Sequence, residues 1–293
     1  MEEQIAELAA KVAELEGAAN APNVVLAELY YYLTIPLMVI IHAGFLAYEM
    51  GASRQKNVLA SGLKNILAFA FMVPTFFLIG WWIYWAFPTG LSGSAGPWEI
   101  SGFEYAAFAL PWSESMGPNM GDNATGVFWG AFTLFAATTA SIFSGAVIER
   151  IQLVGFIILA IALGSVLWIL GAAWGWHADG WLVTQLGYHD FGAAGVVHMI
   201  AGFFALGVLF NLGPRIGKFN EDGTANDLAG HNMPFTVTGL MLIIVGFWGF
   251  LMGCVIIPGE GWSWFGDDWA TIYGTPMTLS GMTFNVLMGF AGG

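Results

Sequence analysis

From about residue 29 onward the chain is a series of long apolar runs separated by polar breaks. The runs at about 29–48, 66–87, 126–147, 153–174, 191–212 and 234–257 contain no Asp, Glu, Lys or Arg. At 1.5 Å rise per residue, some twenty residues of helix cross the ~30 Å hydrocarbon core of a bilayer. A seventh run opens near Pro276 and is still apolar at Gly293, the last residue. Lipid offers no partner to backbone N–H and C=O groups, so such runs are expected as helices bonded within themselves. The predicted fold is therefore all-α, a polytopic transmembrane helical bundle with six to seven spans. Two breaks are longer than the rest: a Gly/Ser/Pro-rich stretch at 88–122 and a polar stretch at 213–230.

Ahead of the first run, Ile5, Leu8, Val12 and Leu15 recur at spacings of three, four and three. This predicts a two-heptad amphipathic helix, too short for a stable coiled coil by itself. Its acidic start, with no apolar h-region following, excludes a signal-peptide pattern. Residues 1–22 are read as an acidic N-terminal segment, a solvated tail, the alternative being a helix that packs between subunits. Residues 23–293 form the membrane domain.

Composition sharpens the class. Only 9% of residues are charged and 57% are hydrophobic, against about 25% charged in soluble domains. Mean hydropathy is +0.71, so an integral, multi-pass protein of the cell membrane is expected. Cys254 is the single cysteine, which excludes an intrachain disulfide and a cysteine metal cluster. Net charge is −13, but its distribution matters more. Arg54, Lys56, Lys64, Arg150, Arg215 and Lys218 fall in or beside three alternate loops, while the intervening loops carry only acids. By the positive-inside rule the basic loops are cytoplasmic and the N-terminus lies outside. So few basic residues exclude nucleic acid as a partner. No phosphate loop, zinc spacing or nucleophile elbow appears, so neither an enzyme nor a metal or other cofactor is expected.

The residue with the most chemical content is His198, inside the otherwise uncharged run 191–212, with Asp190 at its mouth. Eight residues of α-helix would set His198 about 12 Å below Asp190, close to the bilayer midplane. An ionisable group at that depth needs a partner or a polar path and reads as a functional site. The same separation excludes a hydrogen-bonded Asp–His hydrolytic dyad. His42 and Glu49, seven apart on the first span, are read as anchors to neighbouring helices. Glu149 and Arg150 are read as anchoring the third span, and His231 and Asn232 as capping the sixth.

Three stretches carry a resemblance: AGFLAYEMGASRQKNVLASGLKNIL; FAATTASIFSGAVIERI; and DFGAAGVVHMIAGFFALG, followed by GHNMPFTVTG and GFWGF. Together, in this order, they resemble the ammonium transporter/methylammonium permease/Rhesus family. The resemblance implies an 11-span fold of two inverted repeats, assembled as a homotrimer with one narrow apolar pore per subunit. A cytoplasmic regulatory protein is a further partner it allows. It implies that ammonium is recruited at an outer vestibule, passes two stacked phenylalanines, loses a proton, and meets a histidine pair. Carried onto this sequence, Asp190 organises the outer site and His198 is the first pore histidine. Phe135 and Phe250 are the gate, and Trp176 is the vestibule aromatic, its register left open by an extra residue near 177–180. Cys254 falls where the family carries a vestibule serine, Ala131 where it carries a phenylalanine, and Leu251 where it often carries an asparagine. These three departures imply weaker outer capture of the cation. The second pore histidine belongs to a later span, so the sequence is read as part of a longer transporter. The rival reading is an ammonium sensor with a cytoplasmic signalling domain.

Overall fold

A computed structural model describes residues 2–91, 123–177, 179–190, 192–254, 256–257, 263–264, 283 and 287–288. Among the described residues, six helical segments are long and apolar enough to cross a membrane. Helix α1 (Glu2–Ala52) is unbroken, and its last stretch, Glu28–Ala52, is the first span. After a 3₁₀ turn, α2 (Val58–Thr75), a π turn (Phe76–Gly80) and α3 (Trp81–Ala86) form the second. Helix α4 (Asn123–Ala146) contains the third. The fourth joins α5 (Leu153–Ala162) to α6 (Trp168–Gly175) through a π turn (Leu163–Leu167). A short α7 (Trp181–Leu186) precedes the fifth, which opens with a π turn (Ala194–Met199) and continues as α8 (Ile200–Leu212). Helix α9 (Met233–Met252) is the sixth. Beyond it, Ile256 and Ile257 pair antiparallel with Trp264 and Ser263, a minimal two-stranded ladder in an otherwise helical bundle. Residues 92–122, expected as a long outer connection, and most of the run after Pro276 lie outside the described residues.

The most buried span is α4, which contacts α1, α2, α5 and α8 and so occupies the middle of the bundle. Helices α1 and α9 run antiparallel along each other: Gly51 meets Asn232, Gly44 meets Gly239 and Ile243, and Leu37 meets Gly249. Glycine is what permits the approach. A Cβ on Gly44 would fall 2.7 Å from the Ile243 backbone nitrogen, and one on Gly246 would fall 2.7 Å from that of Ile41. The carbonyls left open at the end of α9 are met by tyrosines, Tyr31 donating to Gly253 O at 2.9 Å and Tyr30 to Met252 O at 3.2 Å. At the other end Asn232 caps α9 by accepting from Phe235 N at 3.1 Å. His231 does not cap; its ring bonds Ser53 O at 3.1 Å and ties the helix to the first loop.

Several span boundaries differ from the apolar pattern: the first span runs on to Ala52, the sixth stops at Met252 with Ile256 and Ile257 in the strand pair instead, and two starts move. The second span starts at Gln55, so Lys64, read from the sequence as beside a loop, lies inside it. The Lys64 ammonium sits 3.2 Å from the Glu49 carboxylate and donates to Ser144 O at 2.6 Å. The Ser144 hydroxyl bonds the other Glu49 oxygen. A charge among apolar helices is tolerated there because it is paired and hydrogen-bonded. Glu49 thus anchors α1 to α2 and α4, while His42 reaches α4 separately through Ser141 Oγ at 3.3 Å. The fifth span starts at Ala194 rather than 191, for the reason given below.

At the basic end, Glu149 draws three loops together. Its carboxylate accepts from Arg54 N at 2.7 Å, Arg54 Nε at 2.9 Å and Asn57 Nδ2 at 2.8 Å, with Arg215 at 3.6 Å. Burial works against its charge, yet the bonds from Asn57 and Arg54 hold the carboxyl below its usual range. With the basic loops gathered at this end, sidedness is directly testable. An impermeant maleimide applied to intact cells should label Gln185→Cys, exposed on α7, and spare Glu221→Cys, exposed in the loop after α8. The reverse pattern would invert the N-out topology.

Candidate substrate pathway

The site begins with Asp190, which is buried and ends the loop after α7. Its carboxylate accepts three backbone N–H bonds from the first turn of the fifth span: Ala194 at 2.8 Å, Gly195 at 2.9 Å and Val196 at 2.7 Å. Tyr188 adds its hydroxyl at 3.2 Å. These are the orphan donors and the positive dipole end of a helix, which an anion satisfies best. Burial, then the Asp190 charge, push the Tyr188 phenol up to about 12, so it stays a donor. Because the cap collects donors at 194–196, helical geometry starts there.

The turn it caps is wide. Ala193 adopts φ 58°, a left-handed conformation uncommon outside glycine, and is fully buried. Its carbonyl accepts from Val197 N at 3.1 Å and His198 N at 3.0 Å, and from the His198 ring at 3.0 Å. A carbonyl can only accept, so Nδ1 of His198 carries a proton, and in the neutral ring Nε2 keeps the lone pair. The 12 Å separation computed for a regular helix does not apply to this capped π turn. The two side chains nevertheless have separate partners, and no Asp190–His198 dyad forms.

Aromatic rings connect the two ends of the site. Trp176, just past α6, donates its indole N–H to Asp190 O at 2.9 Å, which fixes the ring beside the capped turn. Its ring meets Phe135 of α4 edge-on at 5.1 Å, and Phe135 meets Phe250 of α9 at 4.4 Å. Phe250 in turn lies 5.9 Å from the His198 ring. Both phenylalanines are fully buried. Their planes cross at 64°, so the pair meets edge to face rather than stacked. Cys254 lies four residues beyond Phe250 and bonds its carbonyl at 3.4 Å, packed against the same cluster. All six residues singled out from the sequence therefore belong to one cluster.

Sequence reasoning passed over three others. Phe247 lies 6.0 Å from His198 and 5.1 Å from Phe250, about one helical turn before it. Phe132 lies 5.8 Å from Trp176 and 6.0 Å from Phe135. An aromatic therefore faces Trp176 although Ala131, which is fully buried, is small. The spacing i, i+3 from Phe132 to Phe135 could have revealed it. Tyr188, two residues before Asp190, had no signal beyond proximity.

His177, adjoining Trp176, packs against Tyr84 and Trp85, and burial pushes its imidazole down to about 4, Asp179 only partly opposing this. Unfolded, the ring takes a proton near its ordinary 6.5, so from about pH 6.5 to 4 the unfolded chain binds more protons. Thermal stability should fall as pH drops through that window. His177→Phe should flatten that part of the profile; an unchanged slope would place its origin elsewhere.

Fold and site together define the class: a multi-pass membrane protein whose helical bundle holds a run of aromatic rings leading to a half-buried histidine. The model of the Ammonium Transporter Family matches residues 30–283, and this chain belongs to that family. It is 31% identical over 234 residues to the ammonium transporter Amt2 of Archaeoglobus fulgidus, covering 76% of this chain and 46% of that protein. It is 32% identical over 254 residues to Amt2 of Haloferax mediterranei, covering 86% and 52%. The chain thus spans about half the length of the curated relatives it matches. Among solved structures, a sensor Amt protein superposes with TM-score 0.64 at 27% identity, covering 78% of this chain and 54% of that one. Saccharomyces cerevisiae Mep2, at 22% identity and TM-score 0.59 over 78% of this chain and 48% of that one, shares the fold.

Proposed function

We propose that this chain forms the substrate-entry half of an ammonium/ammonia channel or transporter. The observation that carries the reading is the unbroken series of ring contacts from Trp176 through Phe135 and Phe250 to His198. Ammonium is close to potassium in size and charge, so selective capture calls for directional acceptors and aromatic faces. In this reading Trp176, held by Asp190, presents such a face, with Phe132 beside it. The buried Phe135–Phe250 pair then excludes water and penalises the charged ion, making loss of a proton the cheaper way through. His198, with a lone pair on Nε2, accepts or relays that proton on the inner side. Cys254 is a weaker hydrogen-bonding group than the hydroxyl expected at its place, which lowers outer affinity. Residues 23–293 constitute the transport domain, residues 1–22 an appendage to it, and the working assembly is a homotrimer in the cell membrane.

The test is an ammonium pulse on liposomes holding the complete gene product, read as current or as internal pH change. An ammonium-dependent signal that potassium does not reproduce is the expected result. Ammonium binding without any flux would instead favour a sensor, the reading suggested by the similarity to a solved sensor Amt protein.

A further inference from the structure

We propose that the N-terminal halves of α1 from neighbouring copies of this chain associate on the outer side as a short parallel coiled coil. Ile5, Leu8 and Val12 are large apolar residues left 61%, 66% and 48% exposed on one face of a helix. A stripe of this kind could also lie on the bilayer surface, but here geometry opposes that. Helix α1 runs unbroken from Glu2 into the first span, which starts at Glu28. Sixteen residues at 1.5 Å put about 24 Å of continuous helix between Val12 and the membrane-spanning segment, bent at most where Pro22 interrupts the backbone bonds. The stripe therefore stands off the lipid and needs a protein partner.

Two features make that partner another copy. All copies enter the bilayer with the same orientation, so their N-terminal helices run parallel and in register. In that register Ile5 and Val12 occupy a positions, and Leu8 and Leu15 occupy d positions, each meeting its own counterpart. The segment's single basic residue, Lys11, then takes a g position, and Glu16 takes the e position five residues on. A parallel coiled coil brings g of one strand to that e of the next, so the lone lysine meets a carboxylate on its neighbour. Two heptads are marginal for free peptides. Tethered copies experience effective concentrations on the order of millimolar, which offsets the shortness. β-branched a residues with leucine at d suit two strands in isolated coils. So short a seam cannot override the bundle, and strand number follows the membrane assembly. To that extent the inference rests on the oligomer proposed above.

The experiment is a cysteine scan of the full chain in membranes, with oxidative crosslinking read as chain-to-chain dimers on a gel. Ile5→Cys, Leu8→Cys and Val12→Cys should crosslink several-fold more than Glu7→Cys, Ala10→Cys and Glu14→Cys. Uniform or absent crosslinking would overturn the coil. Adding Lys11→Glu to the Leu8→Cys chain should lower the yield several-fold, and Glu16→Lys in the same chain should restore it. Yields indifferent to both changes would overturn the register. Native mass of the detergent-extracted protein separates the two readings. An oligomer without periodic crosslinks sinks the coil alone, whereas a monomer sinks the proposed assembly and the coil with it.

Discussion

Replacing His198 by alanine in the complete protein is expected to lower ammonium-dependent current or uptake by about 10²-fold, the scale of a positioned proton-transfer group. Membrane insertion should persist. The ring is half-buried, and its one described hydrogen bond, to Ala193 O, supplements two backbone bonds that the same carbonyl accepts. Alanine keeps those backbone bonds, so the turn survives while the Nε2 lone pair is lost. His198→Glu distinguishes proton handling from simple filling of the space beside Phe247 and Phe250. A carboxylate can still pass a proton but also attracts bare cations, so flux should persist with poorer discrimination against potassium. If the alanine variant transports and selects as the parent does, His198 is a packing residue and the relay lies elsewhere.

The apolar runs revealed six spans because bilayer thickness constrains length, and composition reports length directly. They did not reveal where two helices begin. Run 191–212 looks uniform, yet Asp190 selects the N–H groups of 194–196 and starts the turn there. The second span starts eleven residues before its apolar run, because Lys64 reads as a loop charge until Glu49, on another helix, is seen to neutralise it. Such pairings join residues far apart in sequence and have no signature in either segment alone. The candidate residues were legible one by one, and it is the structure that shows Asp190, His198, Phe135, Phe250, Trp176 and Cys254 lying in one cluster. Geometry corrected its detail. The Phe135 and Phe250 rings cross edge to face, and Phe132, one residue from the small Ala131, is a further ring beside Trp176.

Asp190→Ala should cost more than any change among the aromatic rings, because it removes structure as well as a charge. The buried Val196 N–H, the part-buried N–H groups of Ala194 and Gly195, and the Tyr188 hydroxyl would lose their acceptor. Each unsatisfied buried group costs about 1–3 kcal/mol, and charge-assisted bonds lie at the upper end of that range. Partial relaxation and water entry reduce the total, so a destabilisation of roughly 3–5 kcal/mol is expected, the scale of removing one partner from a buried charged network. The effect should spread through the site. The turn that orients Ala193 and His198 loses its cap, and Trp176 loses the fixed carbonyl that positions its indole. Asp190→Asn is the discriminating variant. With its oxygen in the Oδ2 position it can still accept from Gly195 and Val196, but its NH₂ group then faces the Ala194 N–H, donor against donor. It should fall between parent and alanine in thermal stability, with ammonium flux reduced in the same order. If the cap acts chiefly by positioning, stability and flux will decline together across the three proteins. Flux lost in Asp190→Asn at parental stability would mean that the negative charge itself acts on the cation. Parental stability in Asp190→Ala would refute the cap as the element that starts the fifth span.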